Sequence, residues 1–497
     1  MTEEKIVRTY IYPCFPNKEK INKVEQVLKE YRKTAQAISK IQWAEFFKTG
    51  KFNKYLKLKE LESSLSERYK QSCQWQVVGI LEGYLSCVQE EFEEIIYNTN
   101  LTQKTKRVLI AINSRKAWFS KTLETIYWFE KGNRIEYKVS KEELLLARTI
   151  FKHILNKRRK PSFKNISMHL DSKVAIVEEN QKSRNYDKWL KISTLEKGKP
   201  ILIPLKNNTY AEGVEGKFLN FYQVQVEDGK LSVRLIKEIR RKEYRPIVPE
   251  IAIDLGLNPL FATDRGDLIG RSFLEFLINL DEKITRRMAH LQKAGIRPSQ
   301  DKKYRELVRK LREFLKNEIN RYLNRLIETY RPASIVIERL DFRGQELSKR
   351  MNRLLSRFGK RIVNEKLKSL QDLYGIEIEQ VNPAYSSQEC SSCGYIDKRN
   401  RKSTQEFKCK ACGKKINAQV NSARNLLSRR STEEIKLYTP KKQVLKILTK
   451  RYLERLKGCN SAPLEVLKNN PYFKDFLNPG VWINVYKWGN YPILGSR

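Results

Sequence analysis

Four cysteines constrain the fold of this chain more than any other feature, because they form two close pairs. Two residues separate the members of each pair and 15 residues lie between the pairs: Cys390, Cys393, Cys409 and Cys412. This spacing is typical of two knuckles that hold one tetrahedral zinc ion. Gly394 and Gly413 follow the pairs and allow the backbone to turn around the sulfurs. Since four thiolates leave no position for water, the pattern predicts a structural zinc ribbon, not a catalytic metal.

The residues around these pairs fit the same interpretation. The other cysteines lack the spacing, and we interpret them as ordinary thiols: Cys14, Cys73, Cys87 and Cys459. Basic residues flank the knuckles: Lys398, Arg399, Arg401, Lys402, Lys408 and Lys410. They suit a nucleic-acid backbone, although a solvated surface position explains any one of them equally well.

The charge of the chain indicates what it binds. Its 497 residues include 99 Lys and Arg against 57 Asp and Glu, a net charge of +42. This excess favours phosphate, so we expect nucleic acid as the first partner and an anionic membrane as the second. The length predicts about three folded units, and the hydrophobic content of 40% is enough to bury several cores. No apolar run is long enough for a membrane span or a secretory signal, and we expect a cytoplasmic protein.

The first half of the chain divides into a strand, a helical region and a β-rich region. Residues 1–16 have the pattern of one strand, and apolar residues at helical spacing predict a helical region over 17–156. Alternating strands follow over 157–247, with a hairpin turn at Asp228-Gly229. These strands predict a β-barrel domain. We expect the first strand to join this barrel, so that the helical region is an insertion in it.

The second half begins with strands that alternate with helices over 248–383, which predicts an α/β unit. One apolar strand ends in Asp254, and a later one carries Glu338 near its end. If these strands are neighbours, the two carboxylates lie side by side. Mg²⁺ binds through such acids together with oxygens of a substrate phosphate. Acids at strand ends are also common as ordinary surface residues, so this pattern alone leaves both interpretations open.

The last segment, 431–497, is basic and aromatic and contains no motif. Its aromatic residues include Tyr472, Phe473, Trp482, Tyr486 and Trp488. Such side chains can stack on bases, but packing in a core is their commoner role. We assign this segment as a C-terminal extension without a predicted function.

The order of four motifs resembles the TnpB proteins of transposons and the related miniature type V CRISPR effectors. The motifs are IAIDLGLNPLFAT, IVIERLDF, NPAYSSQECSSCGYIDKRN and FKCKACGKKINAQVNSARNLL, and they cover residues 248–430. The resemblance implies a multidomain α+β fold. In it, a helical recognition domain is inserted into a β-barrel wedge domain, and a RuvC domain of RNase H-like α/β fold is interrupted by a zinc ribbon. Its parts would be the wedge strands 1–16 and 157–247, recognition domain 17–156, RuvC domain 248–383, ribbon 384–417 and last RuvC helix 418–430.

The resemblance also implies a function, RNA-guided targeting of double-stranded DNA. A guide RNA of transposon or CRISPR origin would pair with one DNA strand, while the protein holds the heteroduplex by its backbone. The zinc ribbon would bind target nucleic acid. Asp254 and Glu338 correspond to the first two acids that bind catalytic Mg²⁺ in this family.

The third acid of the family is absent. Where the family has Asn-Ala-Asp, this chain has Asn417-Ala418-Gln419. A glutamine oxygen can contact a cation but brings no charge. We expect this loss to slow cleavage on the order of a thousandfold. Two rescues are open: another acid reaches the site, with Asp341, Glu433 and Glu434 as candidates, or one tightly held metal ion suffices.

Three hypotheses remain open. The first is an RNA-guided DNA-targeting effector whose RuvC metal site is weakened by Gln419, and it is the one we favour. The second is a fully active RNA-guided DNA endonuclease with an unusually completed two-metal site. The third is a zinc-ribbon DNA-binding transposase accessory that uses no guide.

Overall fold

The computed structural model describes residues 5–58, 61–120, 123–130, 133–179, 184–338, 347–456, 466–467 and 469–476. The chain divides into two compact units, Met1–Arg241 and Lys242–Arg497, where its length predicts about three. The number is lower because the helices and sheets of the first unit share one hydrophobic core. None of the helices among the described residues combines the length and apolar character that a membrane crossing requires.

The first unit contains a group of helices between an N-terminal strand and two later sheets. The helices of its described part are α1 (Lys18–Thr49), α2 (Glu67–Tyr97), α3 (Gln103–Ser114), α4 (Lys141–Lys157) and α5 (Thr209–Glu212). The strands are β1 (Lys5–Tyr12), β2 (Thr125–Glu130), β3 (Asn133–Lys138), β4 (Met168–Asp171), β5 (Ala175–Glu179), β6 (Lys188–Ile192), β7 (Ile201–Leu205), β8 (Gly216–Glu227) and β9 (Lys230–Arg240).

The N-terminal strand lies in a sheet with strands that follow the helices in sequence. The order is β1-β9-β8-β4, and β1 pairs antiparallel with β9 from Lys5 opposite Arg240 to Tyr12 opposite Val233. Strands β5, β6 and β7 form a second antiparallel sheet, to which one isolated bridge from Cys14 attaches. The predicted hairpin turn is confirmed, since Asp228 and Gly229 have positive φ between β8 and β9.

The region 17–156, which the periodicity predicts as helical, also contains two strands. Strands β2 and β3 form an antiparallel hairpin between α3 and α4. Its strands contain Thr125, Ile126 and Tyr127, whose β-branched and aromatic side chains favour a pleated backbone. The helical periodicity on both sides of this short segment concealed its own period of two.

The second unit contains an α/β part, a small cysteine-rich lobe and a C-terminal helix. The helices of its described part are α6 (Phe273–Lys293), α7 (Lys302–Tyr330), α8 (Lys349–Tyr374), α9 (Ala418–Arg430) and α10 (Lys441–Leu456), with short 3₁₀ turns at Lys398–Asn400 and Pro471–Phe476. The strands are β10 (Val248–Leu255), β11 (Phe261–Thr263), β12 (Leu268–Ile269), β13 (Pro332–Glu338), β14 (Glu377–Val381), β15 (Glu406–Lys408) and β16 (Lys415–Asn417).

The main sheet of this unit has the order β12-β11-β10-β13-β14. Strands β10, β13 and β14 are parallel, whereas β11 and β12 pair antiparallel. One face packs against α6, α7 and α8 through a core that includes Ile253 and Ile337. On the other face, Ala252 and Val336 pack against Leu426 of α9. Helices therefore cover both faces of the parallel strands, which explains their nearly continuous apolar sequences.

The C-terminal extension packs against the cysteine-rich lobe. Phe473 is fully buried and stacks on Tyr395, with ring centroids 5.7 Å apart and planes 5° from parallel. Asn470 donates a hydrogen bond of 2.8 Å to the Tyr395 hydroxyl, and Tyr452 of α10 packs in the same cluster. Core packing, the commoner of the two predicted roles, is therefore the role of Phe473, whereas Trp482, Tyr486 and Trp488 lie outside the described residues.

We expect Leu426→Ala to loosen α9 from the sheet. Leu426 is fully buried against Ala252, Val336 and Val381, and a truncation of this kind costs about 2–5 kcal/mol. Hydrogen exchange of β10 and β13 peptides measures the loss. Ile278→Ala, at a side chain that is 38% exposed on α6, is the control. Equal protection in both variants would show that Leu426 does not hold the helix.

Candidate metal centres

The two strand-end acids lie at neighbouring positions of the main sheet. Ile253 of β10 faces Ile337 of β13 in the parallel register, so Asp254 and Glu338 are the next residues on adjacent strands. Both belong to the face covered by α9, because side chains two residues apart on a strand share a face. They lie at the carboxyl edge of the parallel strands, where open α/β sheets bind their ligands.

Asp254 is buried beneath α9. The Ser422 hydroxyl donates a hydrogen bond of 2.9 Å to its Oδ1 atom, and Ser386 lies 3.2 Å from the same hydroxyl. Burial raises the pKa of Asp254 to about 7, while the hydrogen bond from Ser422 and the charge of Arg401 act in the opposite direction. A buried carboxylate in this state gains stability from a cation placed beside it.

Gln419 lies one helical turn before Ser422 and is also buried. Its Nε2 atom donates a hydrogen bond of 3.4 Å to the carbonyl of Pro259. The amide lies where a Cβ of residue 256 would be, so only glycine at this position allows the arrangement. The Oε1 atom of Gln419 is buried and has no hydrogen-bond partner among the described residues. An unpaired buried acceptor is costly and fits a missing donor or cation.

Of the candidate replacements for the third acid, neither Glu433 nor Glu434 contacts Asp254 in the described structure. Glu433 is exposed beyond the end of α9, and Glu434 forms an ion pair of 3.0 Å with Arg451. Asp341 lies outside the described residues. Sequence reasoning did not consider Asp264, whose Oδ1 accepts a hydrogen bond of 2.8 Å from the Ala252 amide. That bond gives Asp264 a role in the sheet.

The residues present fit a hard divalent cation with a reduced ligand set. Asp254 and Glu338 would supply carboxylate oxygens, and the unpaired Oε1 of Gln419 would supply a neutral oxygen from the same helical turn as Ser422. Hard cations of this kind take oxygen ligands. Across the described part of the chain, no group of three acids comes close enough to form a complete carboxylate cluster.

The four paired cysteines converge in the small lobe. The four Sγ atoms all lie within 4.8 Å of one another. The Sγ atoms of Cys390 and Cys412 are 3.8 Å apart, and those of Cys393 and Cys409 are 3.6 Å apart. A tetrahedral site with metal–sulfur bonds of about 2.3 Å has sulfur–sulfur edges of about 3.8 Å. The cluster therefore has the dimensions of a four-thiolate metal site. The remaining thiols in the described residues, Cys14, Cys73 and Cys87, are free, and Cys459 lies outside them.

Helix α9 connects the lobe to the acidic edge of the sheet. Its Asn421 side chain accepts a hydrogen bond of 2.9 Å from the Ser391 amide and donates one of 2.8 Å to the Glu389 carbonyl. Asn425 donates to the same carbonyl at 2.7 Å. Arg429 pairs with the buried Glu389 carboxylate, and this charge opposes the increase in the pKa of Glu389 that burial causes. One face of α9 thus contacts the sheet and another contacts the first cysteine knuckle.

The basic residues around the knuckles are mostly on the surface. Lys398, Lys402 and Lys410 are exposed. Arg399 is also exposed but is bound to Asp397, with an ion pair of 2.8 Å. The structure therefore separates solvent-facing lysines from an arginine that stabilises the lobe.

Comparison with known proteins identifies this region. Residues 361–426 match the family model described as the Cas12f1-like TNB domain. Residues 361–426 are therefore similar to the Cas12f1-like TNB domain, and the name TNB domain refers to them below. The match covers the C-terminal half of α8, strand β14, the cysteine lobe and the part of α9 that carries Gln419 and Ser422. The TNB domain thus contains both the four-cysteine cluster and the helical side of the acidic site.

Comparison of the whole chain with known proteins finds relatives that are similar to it over short segments. A CRISPR-associated endodeoxyribonuclease Cas12f1 from Sulfoacidibacillus thermotolerans is 50% identical over 52 residues, which are 10% of this chain and 12% of that protein. A TnpB-like protein from Aquifex aeolicus is 37% identical over 95 residues, 18% of this chain and 31% of the relative. The chain is therefore a relative of the TnpB and miniature Cas12 proteins, and the matches span less than a third of each relative's length.

Solved structures resemble the chain over a larger part of its length. A Cas12f1 chain in complex with its guide RNA and target DNA aligns with 87% of this chain and 100% of that chain, at 16% identity and a TM-score of 0.40. A mini-RNA-guided endonuclease, CRISPR-Cas phi3, aligns with 86% of this chain and 92% of that chain, at 13% identity and a TM-score of 0.38.

The buried ion pair between α9 and the first cysteine knuckle generates a prediction. Arg429→Met leaves Glu389 buried without its partner, which destabilises a protein by about 3–5 kcal/mol. The double variant Arg429→Met with Glu389→Leu recovers most of that loss, because the unpaired charge is removed. Hydrogen exchange of α9 measures both variants. If the double variant were no more stable than the single one, the charge pair would not be the cause.

Proposed function

We propose that the chain is an RNA-guided DNA-targeting effector. It binds a guide RNA and a matched double-stranded DNA target, and it has a RuvC-type Mg²⁺ site that Gln419 weakens. The observation that carries the proposal is the position of Asp254 and Glu338 at adjacent strand ends, under the helix of a TNB domain. The net charge of +42 supports nucleic-acid partners.

The architecture supports a division of labour among the parts of the chain. We assign guide and target recognition to the helical region 17–156 and a wedge role to the β-barrel built from 1–16 and 157–247. Residues 248–383 and 418–430 form the RuvC domain, of RNase H-like fold, and 384–417 form the zinc ribbon. The mixed sheet with three parallel strands in the second unit supports the RuvC assignment.

The side chains at the acidic edge have distinct tasks. Bound Mg²⁺ would stabilise charge on the phosphate oxygens during DNA hydrolysis. Asp254 and Glu338 would hold it, and Ser422 orients the Asp254 carboxylate through its hydrogen bond. Gln419 offers only a neutral oxygen, so the site binds the transition state with one charge fewer than an all-acid site.

One observation favours the alternative of a fully active endonuclease. The Oε1 atom of Gln419 is buried and unpaired in the described structure, so it is available as a neutral ligand. The third possibility, a transposase accessory without a guide, predicts that the purified chain carries no discrete RNA. Sequencing of co-purified RNA separates it from the two guided functions.

Cleavage of a matched duplex by the RNA-loaded protein in Mg²⁺ tests the site. We expect weak cleavage that Asp254→Ala abolishes and that Gln419→Asp raises about a thousandfold, because the added charge restores several kcal/mol of transition-state stabilisation. Gln419→Asn is the matched control, since it has the length of aspartate without the charge.

The same assay includes a control and the outcomes that would contradict the proposal. Glu433→Ala, at an exposed acid, should leave cleavage and DNA retention unchanged. Cleavage by the wild type as fast as by Gln419→Asp would support the fully active alternative. Failure of the RNA-loaded protein to retain a matched duplex would refute the guided function.

The cysteine cluster is expected to bind one structural Zn²⁺ per chain. Cys412→Ser removes one thiolate and should lose most of the zinc, whereas Cys87→Ser, at a free thiol of the first unit, should retain it. Elemental analysis of the purified variants gives the metal content. Chelation should unfold the lobe and weaken DNA retention, since a structural zinc site supplies folding free energy. Unchanged retention after verified zinc loss would contradict this role.

A further inference from the structure

A polar cavity lies on the side of the TNB domain where the C-terminal extension packs. Its volume is about 170 Å³. The walls come from the first cysteine knuckle, the end of α9 and helix α10, and the lining residues that matter are Gly394, Arg429, Arg451 and Arg455. Three arginines face one lining acid, Glu389, so the lining carries an excess of positive charge.

Part of this charge is already used by contacts within the protein. Arg429 pairs with Glu389 through Nη2. Arg451 donates a hydrogen bond of 3.0 Å to the Thr432 hydroxyl and forms an ion pair of 3.0 Å with Glu434. These contacts fix two of the guanidinium groups in position. A charged group that is held by its neighbours loses little entropy when a ligand binds.

One buried donor of the cavity, the Nε atom of Arg429, has no acceptor among the described residues. Arg429 is 3% exposed. Arg455 forms no ion pair with any described residue, and its guanidinium lies against Gly394, where a Cβ would collide with it. Buried donors normally find partners, so an unpaired one in a cationic cavity indicates an anionic ligand.

We propose that this cavity binds a phosphate group of a nucleic-acid backbone. Guanidinium groups match phosphate oxygens in geometry as well as charge. The choice of a nucleic acid rests on the proposed function, because one wall of the cavity is the first cysteine knuckle of the TNB domain and the chain has a net charge of +42. The C-terminal extension supplies Arg451 and Arg455 and thereby becomes part of the nucleic-acid interface.

The test compares two exposed positions on the same helix. Arg455→Gln removes a charge from the cavity, and Lys446→Gln removes an equal charge from a position on α10 that does not line the cavity. Arg429 is unsuitable because its loss leaves Glu389 buried and unpaired. Binding of a 20-nucleotide single-stranded DNA to the zinc-loaded full chain, without guide RNA, is measured from about 50 to 200 mM salt.

We expect Arg455→Gln to weaken binding and to reduce the slope of log K against log salt by about 0.7, the value for one phosphate contact with a single strand. Lys446→Gln should leave the slope unchanged. In the wild type, the oligonucleotide should also protect Arg455 from an arginine-selective dicarbonyl reagent. Equal slopes for both variants, or an unprotected Arg455 in the saturated complex, would overturn the proposal.

Two further measurements distinguish a nucleic-acid phosphate from free phosphate, and the cavity proposal from the proposed function. Protection of Arg455 by inorganic phosphate at constant ionic strength, but not by the oligonucleotide, would assign the cavity to a free anion and refute the nucleic-acid ligand. Because the assay needs no guide RNA, failure of guided targeting leaves its result intact. Conversely, Arg455→Gln could retain guided cleavage while its binding of single-stranded DNA keeps the wild-type salt slope. That result would reject the cavity proposal and leave the proposed function intact.

Discussion

The packing of α9 between the main sheet and the cysteine lobe is the contact on which the second unit depends. Leu426 anchors the helix on Ala252 and Val336, and Arg430 extends the anchor with ion pairs to strand-borne acids, including one of 2.7 Å to Glu250. A different face binds the first knuckle through Asn421. Because a helix is rigid over this length, the cysteine lobe and the acidic edge of the sheet are held in one fixed relation.

This arrangement places residue 419 of α9 at the acidic edge of the sheet. A glutamine in place of an acid at that position therefore lowers the negative charge of the proposed site. Ser422 supports the buried Asp254 carboxylate, and Gln419 lies one turn away against Gly256. The proposed site therefore has two acids on adjacent strands and lacks the charge of a third. Under the proposed function, binding of a guided target would depend on the net charge of +42, whereas hydrolysis would depend on this local charge, so the two activities could be lost separately.

Much of this fold could be predicted from the sequence, because its signals are local. The cysteine spacing predicted the cluster, and the Asp228-Gly229 turn predicted its hairpin. The hairpin within the helical region was missed, since two six-residue strands carry little periodicity beside long amphipathic helices. Contacts between residues that are distant in sequence also could not be predicted. Neither the Arg429–Glu389 pair nor the stacking of Phe473 on Tyr395 leaves a local pattern.

The most direct measurement of the central claim is a crystal structure of the chain soaked in Mn²⁺, with anomalous diffraction to locate the ion as a substitute for Mg²⁺. The account predicts one ion between Asp254 and Glu338, within reach of the Gln419 amide oxygen. Stronger occupancy at the same position is expected in Gln419→Asp crystals. An ion bound elsewhere, or no ion in either protein, would contradict the claim that these two acids form a metal centre.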